Sequence, residues 1–175
     1  DHRVDEKYQI KLKRCGIKWL QFDRGKLNSI WANLTLNTNP VVSSLEYDLV
    51  LKNSKAKLLL GPKYAIVRSE FYNLISSSTN SSKRVLVTFG GGSDRGAILF
   101  VLNSLVKNNK DNFVFIVISG KSNPNNDEIN NWINANANAK DNVCLFVNPD
   151  SIAKLFASCD IAIMAGGSSI YEALC

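Results

Sequence analysis

Two glycine clusters, Gly90-Gly91-Gly92-Ser93 and Gly166-Gly167-Ser168-Ser169, each follow a short apolar run rich in β-branched residues and precede a segment of helical period. Glycine lets backbone N–H groups come close to an oxyanion, and serine adds a hydroxyl donor, so such strand-to-helix junctions suit a phosphate. One cluster alone reads as a tight turn; two of them, leaving parallel strands at the same sheet edge, favour a shared ligand. Neither contains the lysine loop of a Walker A sequence. Neither has the G-x-G-x-x-G spacing with a downstream acid, so ATPase and NAD-dehydrogenase readings lose ground. Glu172, about one turn into the last helix, is placed to accept ribose hydroxyls, to close an S-x-x-E capping box with Ser169, or to do both.

The elements that would position these residues alternate from Lys83 onward, the pattern of βαβ units and a parallel sheet. Val85 to Phe89 is a strand, followed by a glycine loop and a helix carrying Ala97, Ile98, Val101, Leu102 and Leu105 at helical spacing. Phe113 to Ile118 is a second strand and Ser119 to Asn126 a loop. A second helix carries Ile129, Trp132 and Ile133, and Val143 to Val147 is a third strand. Asp150 is the expected N-cap of a short helix with Ile152, Leu155 and Phe156 on one face. A fourth strand, Asp160 to Ala165, leads to the second glycine cluster and a last helix opened by the Ser169–Glu172 box.

Ahead of this region, the spacing predicts a basic helix from about Val4 to Arg14, stopped by Gly16. Apolar runs follow at Ile17–Phe22, Ile30–Leu36, Tyr47–Leu51 and Lys57–Leu60, read as the closing elements of another α/β layer. The polar stretch Ser76 to Ser82 suits a linker, which places a domain boundary near Ser78, with residues 1–78 and 79–175 on its two sides. The last helix would hold only about six residues, too short to be stable by itself, so the chain is expected to be a fragment.

With 175 residues, 45% hydrophobic and 21% charged, the chain is of globular composition and is bounded to one domain or parts of two. The net charge of +6 permits an anionic partner, but most lysines are scattered singly and only Lys11 to Arg14 is dense. There is no basic-aromatic interleaving or helix-turn-helix pattern, so nucleic acid is not an expected partner. Four cysteines without a CxxC pair and a single histidine exclude a zinc site of standard spacing. No apolar run reaches membrane-spanning length, and the expected location is the cytoplasm. The 21 asparagines, fourteen of them between Asn103 and Asn148, yield two chance-level glycosylation sequons, at Asn33 and Asn80, which carry no functional weight.

Three stretches then carry a resemblance: Leu60-Gly-Pro-Lys-Tyr-Ala-Ile-Val-Arg-Ser-Glu-Phe71, Val85-Leu-Val-Thr-Phe-Gly-Gly-Gly-Ser-Asp94, and Phe156 to Cys175 with its Ala-Gly-Gly-Ser-Ser-Ile-Tyr-Glu core. In this order they resemble the UDP-sugar hydrolase family of pseudaminic acid biosynthesis and related spore-coat polysaccharide proteins. Asp1-His2-Arg3, the Ile17 to Asp23 strand and Leu36 to Pro40 resemble the later part of that family's N-terminal domain. The resemblance implies a GT-B-like architecture of two Rossmann-like domains, related to glycosyltransferase family 28, and hydrolysis that releases UDP from a diacetamido-trideoxy sugar. It implies that Gly91, Gly92 and Ser93 face the diphosphate and that Gly166, Gly167, Ser168 and Ser169 hold phosphate and nucleotide. It further implies that Glu172 takes the ribose, and that Tyr64 and Arg68 lie near the sugar.

The family's catalytic histidine sits in an N-terminal G-x-G-H loop that this sequence does not contain; the only histidine, His2, matches a later segment. No residue is assigned as catalytic base, and the chain is expected to be inactive alone. The Phe22-Asp23-Arg24-Gly25 stretch departs from the paired acids usual at that place. The motifs require neither metal nor cofactor. Two alternatives stay open beside the hydrolase: a GT-B glycosyltransferase using a UDP-sugar donor, and a nucleotide-sugar-binding domain without catalysis. Oligomeric state is not read from the sequence.

Overall fold

The computed structural model describes residues 4–23, 27–72, 74, 82–106 and 113–175. The chain divides into two compact units, Asp1–Ile66 and Val67–Cys175, each described by itself below. The boundary expected near Ser78 lies outside the described residues.

In the first unit, helix α1 spans Glu6–Arg14. Asp5 caps it by accepting the Tyr8 N–H at 2.8 Å, and Lys11, Lys13 and Arg14 crowd its last turn, each charge complementing the helix dipole. The helix buries Gln9, whose amide donates to the Ser29 carbonyl at 3.0 Å and accepts the Trp31 N–H at 2.9 Å. Strands β1 (Leu20–Phe22), β2 (Leu34–Asn37) and β3 (Lys57–Leu60) form a parallel sheet in that order. The run Tyr47–Leu51, expected as one of the elements of this layer, adds no strand to it. A 3-10 turn, Ser44–Tyr47, opens on a capping box between Ser43 and Glu46, and only a single bridge joins Ile30 to Leu51. The box supplies the turn's orphan N–H groups with acceptors, so this backbone is satisfied without pairing to the sheet. Tyr47 is thereby brought into the core with Ile30 and Ala32.

The second unit is a four-stranded parallel sheet of β4 (Arg84–Thr88), β5 (Val114–Ser119), β6 (Val143–Val147) and β7 (Ile161–Met164), in the order β6-β5-β4-β7. Helices cover both faces. Helices α2 (Ala97–Leu105), α3 (Asn126–Ala135) and α4 (Ala137–Asn142) pack against Val85, Val87, Phe115 and Val117, while α5 (Ile152–Ala157) covers Leu86, Ile116 and Ile118 on the other face. Successive residues of β4 and β5 alternate between these two cores, which is why the two central strands are buried and read as continuous apolar runs. Helix α6 spans Ser169–Ala173.

The structure corrects two capping expectations. The N-cap of α5 is Ser151 rather than Asp150. The N-cap of α6 is Ser168, so Ser169 already lies in the first helical turn, and the Ser169–Glu172 box does not form. The Glu172 carboxylate is engaged by a guanidinium instead, a charge-assisted pairing stronger than one bond to a neutral amide. The chain is thus an α/β protein with parallel sheets, and its second unit is Rossmann-like. Among the described residues, no helix is long and apolar enough to cross a membrane, and no group of three His, Cys, Asp or Glu side chains could hold a metal ion.

Candidate functional site

The chain enters the second unit at β4, moves outward to β5 and β6, then crosses back past β4 to β7. The topology therefore reverses between β4 and β7, whose last residues, Thr88 and Met164, are register partners. Both glycine clusters leave the sheet here, one from each strand. In open α/β sheets, the crevice outside the carboxyl ends of the strands at such a reversal is where ligands bind.

The glycines in the two loops differ in why they are glycine. Gly90 has φ of +98°, a conformation that other residues adopt only with strain. Gly91, Gly92, Gly166 and Gly167 lie outside the positive-φ region, and a Cβ added to any of them would meet nothing within 4 Å. Neither backbone conformation nor internal packing demands glycine at these four positions. Ser93 accepts the Arg95 N–H at 3.3 Å, and Arg95 itself has φ of +53°.

Asp94, at the end of the first cluster, is 6% exposed and accepts the Ile98 N–H at 2.8 Å in the first turn of α2, whose N-cap is Gly96. Burial pushes its carboxyl pKa up, but bonds from the Ile98 backbone, Asn125, Asn123 and the Gly96 backbone outweigh that and hold it below its ordinary value. An internal carboxylate thus occupies donors at the start of α2, and the open backbone of this loop lies ahead of Asp94. Asn125 donates to Asp94 Oδ1 at 2.6 Å, and the Asp94 N–H donates to Asn123 Oδ1 at 3.4 Å.

On the other loop, Glu172 is buried at 8% exposure and is held by Arg68, whose Nε donates to Oε1 at 2.7 Å and whose Nη2 donates to Oε2 at 2.9 Å. Arg68 also lies 3.1 Å from Glu70 and sits over the Phe71 ring, which meets Phe156 edge-on. The Glu172 hydrogen bond raises the Arg68 pKa further, so the guanidinium stays charged. An ionised carboxylate has about four acceptor positions. The fork uses one on each oxygen, leaving each able to accept another donor.

Of the residues singled out in the sequence, the structure brings Arg68 and Glu172 into direct contact and sets both glycine clusters at one topological reversal. Tyr64 belongs to the first unit, in the 3-10 turn Pro62–Tyr64, with the Lys63 ammonium 5.0 Å from its ring centre. His2 and Arg24-Gly25 lie outside the described residues. Sequence reasoning missed Asp94, Gly120, Asn123 and Asn125. The Asn-Pro-Asn-Asn run after a strand is a turn signal, hidden here by the general asparagine richness. It also missed a buried triad in the first unit: Tyr47 donates to Asp23 Oδ2 at 2.8 Å, and Asn37 donates to the Tyr47 hydroxyl at 3.0 Å. Burial is the main cause that pushes the Tyr47 pKa up to about 12.

No protein-family model matches the chain. It is similar, at 31% identity over 128 residues, to an uncharacterized protein of Methanocaldococcus jannaschii, covering 70% of this chain and 26% of that protein. It is also similar, at 26% identity over 171 residues, to the UDP-2,4-diacetamido-2,4,6-trideoxy-beta-L-altropyranose hydrolase of Campylobacter jejuni, covering 98% of this chain and 58% of that protein. The chain therefore spans about a quarter of the length of the first relative and under two thirds of the second.

Proposed function

We propose that the second unit binds the nucleoside diphosphate part of a UDP-sugar at the reversal between β4 and β7, and that the chain is a nucleotide-sugar hydrolase or a piece of one. One observation carries this reading: two glycine loops leave the two strands of one topological reversal, and four of their glycines are required by neither φ nor packing. Open backbone facing a crevice is what a diphosphate needs for close approach. The similarity to an enzyme named as a UDP-sugar hydrolase supports the same ligand class.

In this proposal Gly91, Gly92 and Ser93 accept one side of the diphosphate and Gly166, Gly167, Ser168 and Ser169 the other. Glu172 accepts ribose hydroxyls through the positions that Arg68 leaves open, and Arg68 contributes to the sugar end. The architecture proposed with it is GT-B-like, with residues 1–78 a Rossmann-like domain part plus hinge and 79–175 nucleotide-binding, related to spore-coat polysaccharide proteins and glycosyltransferase family 28. The process is bacterial surface-polysaccharide or nonulosonic acid biosynthesis, in the cytoplasm. No described residue is assigned as the base that activates water.

Calorimetric titration with UDP, uridine and inorganic phosphate tests the reading. Saturable UDP binding, tighter than either part alone, is the expected result; no binding at millimolar UDP overturns it. Incubation with a UDP-sugar then separates the chemistries. UDP released in water alone marks a hydrolase, release only with an acceptor a transferase, and binding without turnover a binding domain.

A further inference from the structure

We propose that the turn between β5 and α3 is a clamp that sets the first glycine loop, with Gly120, Asn123 and Asn125 as positioning residues for diphosphate binding. This inference rests on the reading above and adds residues to it. Strand β5 neighbours β4 on the side away from β7, so its following turn meets the Gly90–Asp94 loop from behind the topological reversal. The two backbones touch: a Cβ at Gly120 would run into the Gly91 carbonyl, so only glycine allows this approach. The side of Gly91 where its own Cβ would stand is open.

Side chains lock the same contact. Asn125 and Asn123 hold Asp94 as described above, and the Asn125 N–H donates to Asn123 Oδ1 at 3.2 Å. Asn123 donates to the Ser119 hydroxyl at 3.0 Å; Ser119 donates to Asn126 Oδ1 at 2.7 Å; Asn126 donates to the Gly120 carbonyl at 3.0 Å. Ser119, Asn123 and Asp94 are buried. The ring of bonds fixes the turn to Asp94 on one side, and Asp94 fixes the start of α2 on the other. Loose glycine backbone would pay an ordering cost on binding an anion, and the clamp removes that cost beforehand.

The test compares wild type, Asn125→Ala, Asn125→Asp and Gly120→Ala in UDP and uridine titrations, with amide hydrogen exchange at Gly91, Gly92 and Ser93. Asn125→Ala should weaken UDP binding by about tenfold while uridine binding stays within about twofold, because only the diphosphate meets this loop. Asn125→Asp should lose more, since it sets a second carboxylate against Asp94. Exchange at 91–93 should quicken in both, with the β5 core unchanged. Gly120→Ala is the severest change; should it fail to fold, Asn125→Ala still decides. UDP affinity unchanged in both Asn125 variants overturns the clamp, as does an equal loss of UDP and uridine binding. If wild type binds neither compound, the nucleotide reading has failed, and exchange alone decides the clamp: quickened exchange at 91–93 upholds it, unchanged exchange overturns it.

Discussion

Arg68 grips Glu172 with a two-pronged ion pair of 2.7 and 2.9 Å across 104 residues of chain, joining the segment after Ile66 to the last helix. The pair is lopsided, for the Glu172 side chain is 8% exposed and that of Arg68 is 48% exposed. Removing the arginine strands a buried charge, whereas removing the carboxylate frees a guanidinium that water can solvate. Arg68→Ala should therefore destabilise the second unit by about 2 kcal/mol, less than for a fully buried pair, and Glu172→Gln by less. In urea denaturation the double variant should be less destabilised than the sum of the two single changes. An Arg68→Ala protein as stable as wild type would refute this account.

Gly92→Ala and Gly167→Ala distinguish glycine used for a ligand from glycine used for a turn. Both positions have room for a methyl group and a backbone that alanine can adopt. Stability should hold to within about 0.5 kcal/mol, or rise slightly, because alanine restricts the unfolded chain. UDP affinity should fall at least about tenfold, read by calorimetry. Unchanged affinity in both variants would return these loops to the status of turns.

Asp94 makes stability depend on acid pH. Its carboxyl pKa is held below the ordinary 3.8, so its contribution is present above that value and is lost as pH falls through the folded value. Asp94→Asn keeps an acceptor for the Ile98 N–H but gives up the charge behind that bond and the one from Asn125, and should cost about 1–2 kcal/mol at neutral pH. The difference from wild type should shrink steadily below pH 3.8 in denaturation curves taken from pH 6 downward. A gap that stays constant over that range would assign the loss to packing rather than charge.

Tyr47 sets the alkaline limit of the first unit. A tyrosine is neutral when protonated, so a pKa raised from 10.0 to about 12 means that the fold holds the proton more tightly. The stabilisation is complete below pH 10.0 and is lost as pH rises through about 12. Absorbance titration should show a phenol that ionises above the ordinary 10.0, and Tyr47→Phe should remove that late step. The variant should also lose about 1–2 kcal/mol, since the Asn37 and Asp23 bonds to the hydroxyl go with it.

The alternation of strand and helix in the second unit was legible because the central strands β4 and β5, buried on both faces, must be apolar throughout, while helices covering them are apolar on one stripe. Lys57–Leu60 and Val143–Val147 are strands with the bounds that the apolar runs suggest. Tyr47–Leu51 is no strand because the four-residue capping box Ser43–Glu46 satisfies the backbone locally, and Ser169–Glu172 forms no box because Arg68 outcompetes the local bond. Helix α4 carries one buried residue, Ala139, and so left no apolar stripe to read.

The sequence by itself determined the α/β class, the two glycine junctions and the residues at their edges, since periodicity and glycine are local properties of the chain. Only the tertiary structure decided that β7 returns to lie beside β4, that Asn125 meets Asp94, and that Arg68 meets Glu172. Periodicity fixes which face of an element is buried but not which element covers it. That choice follows from strand order and from the packing of both faces at once, and those exist only when the whole sheet is formed.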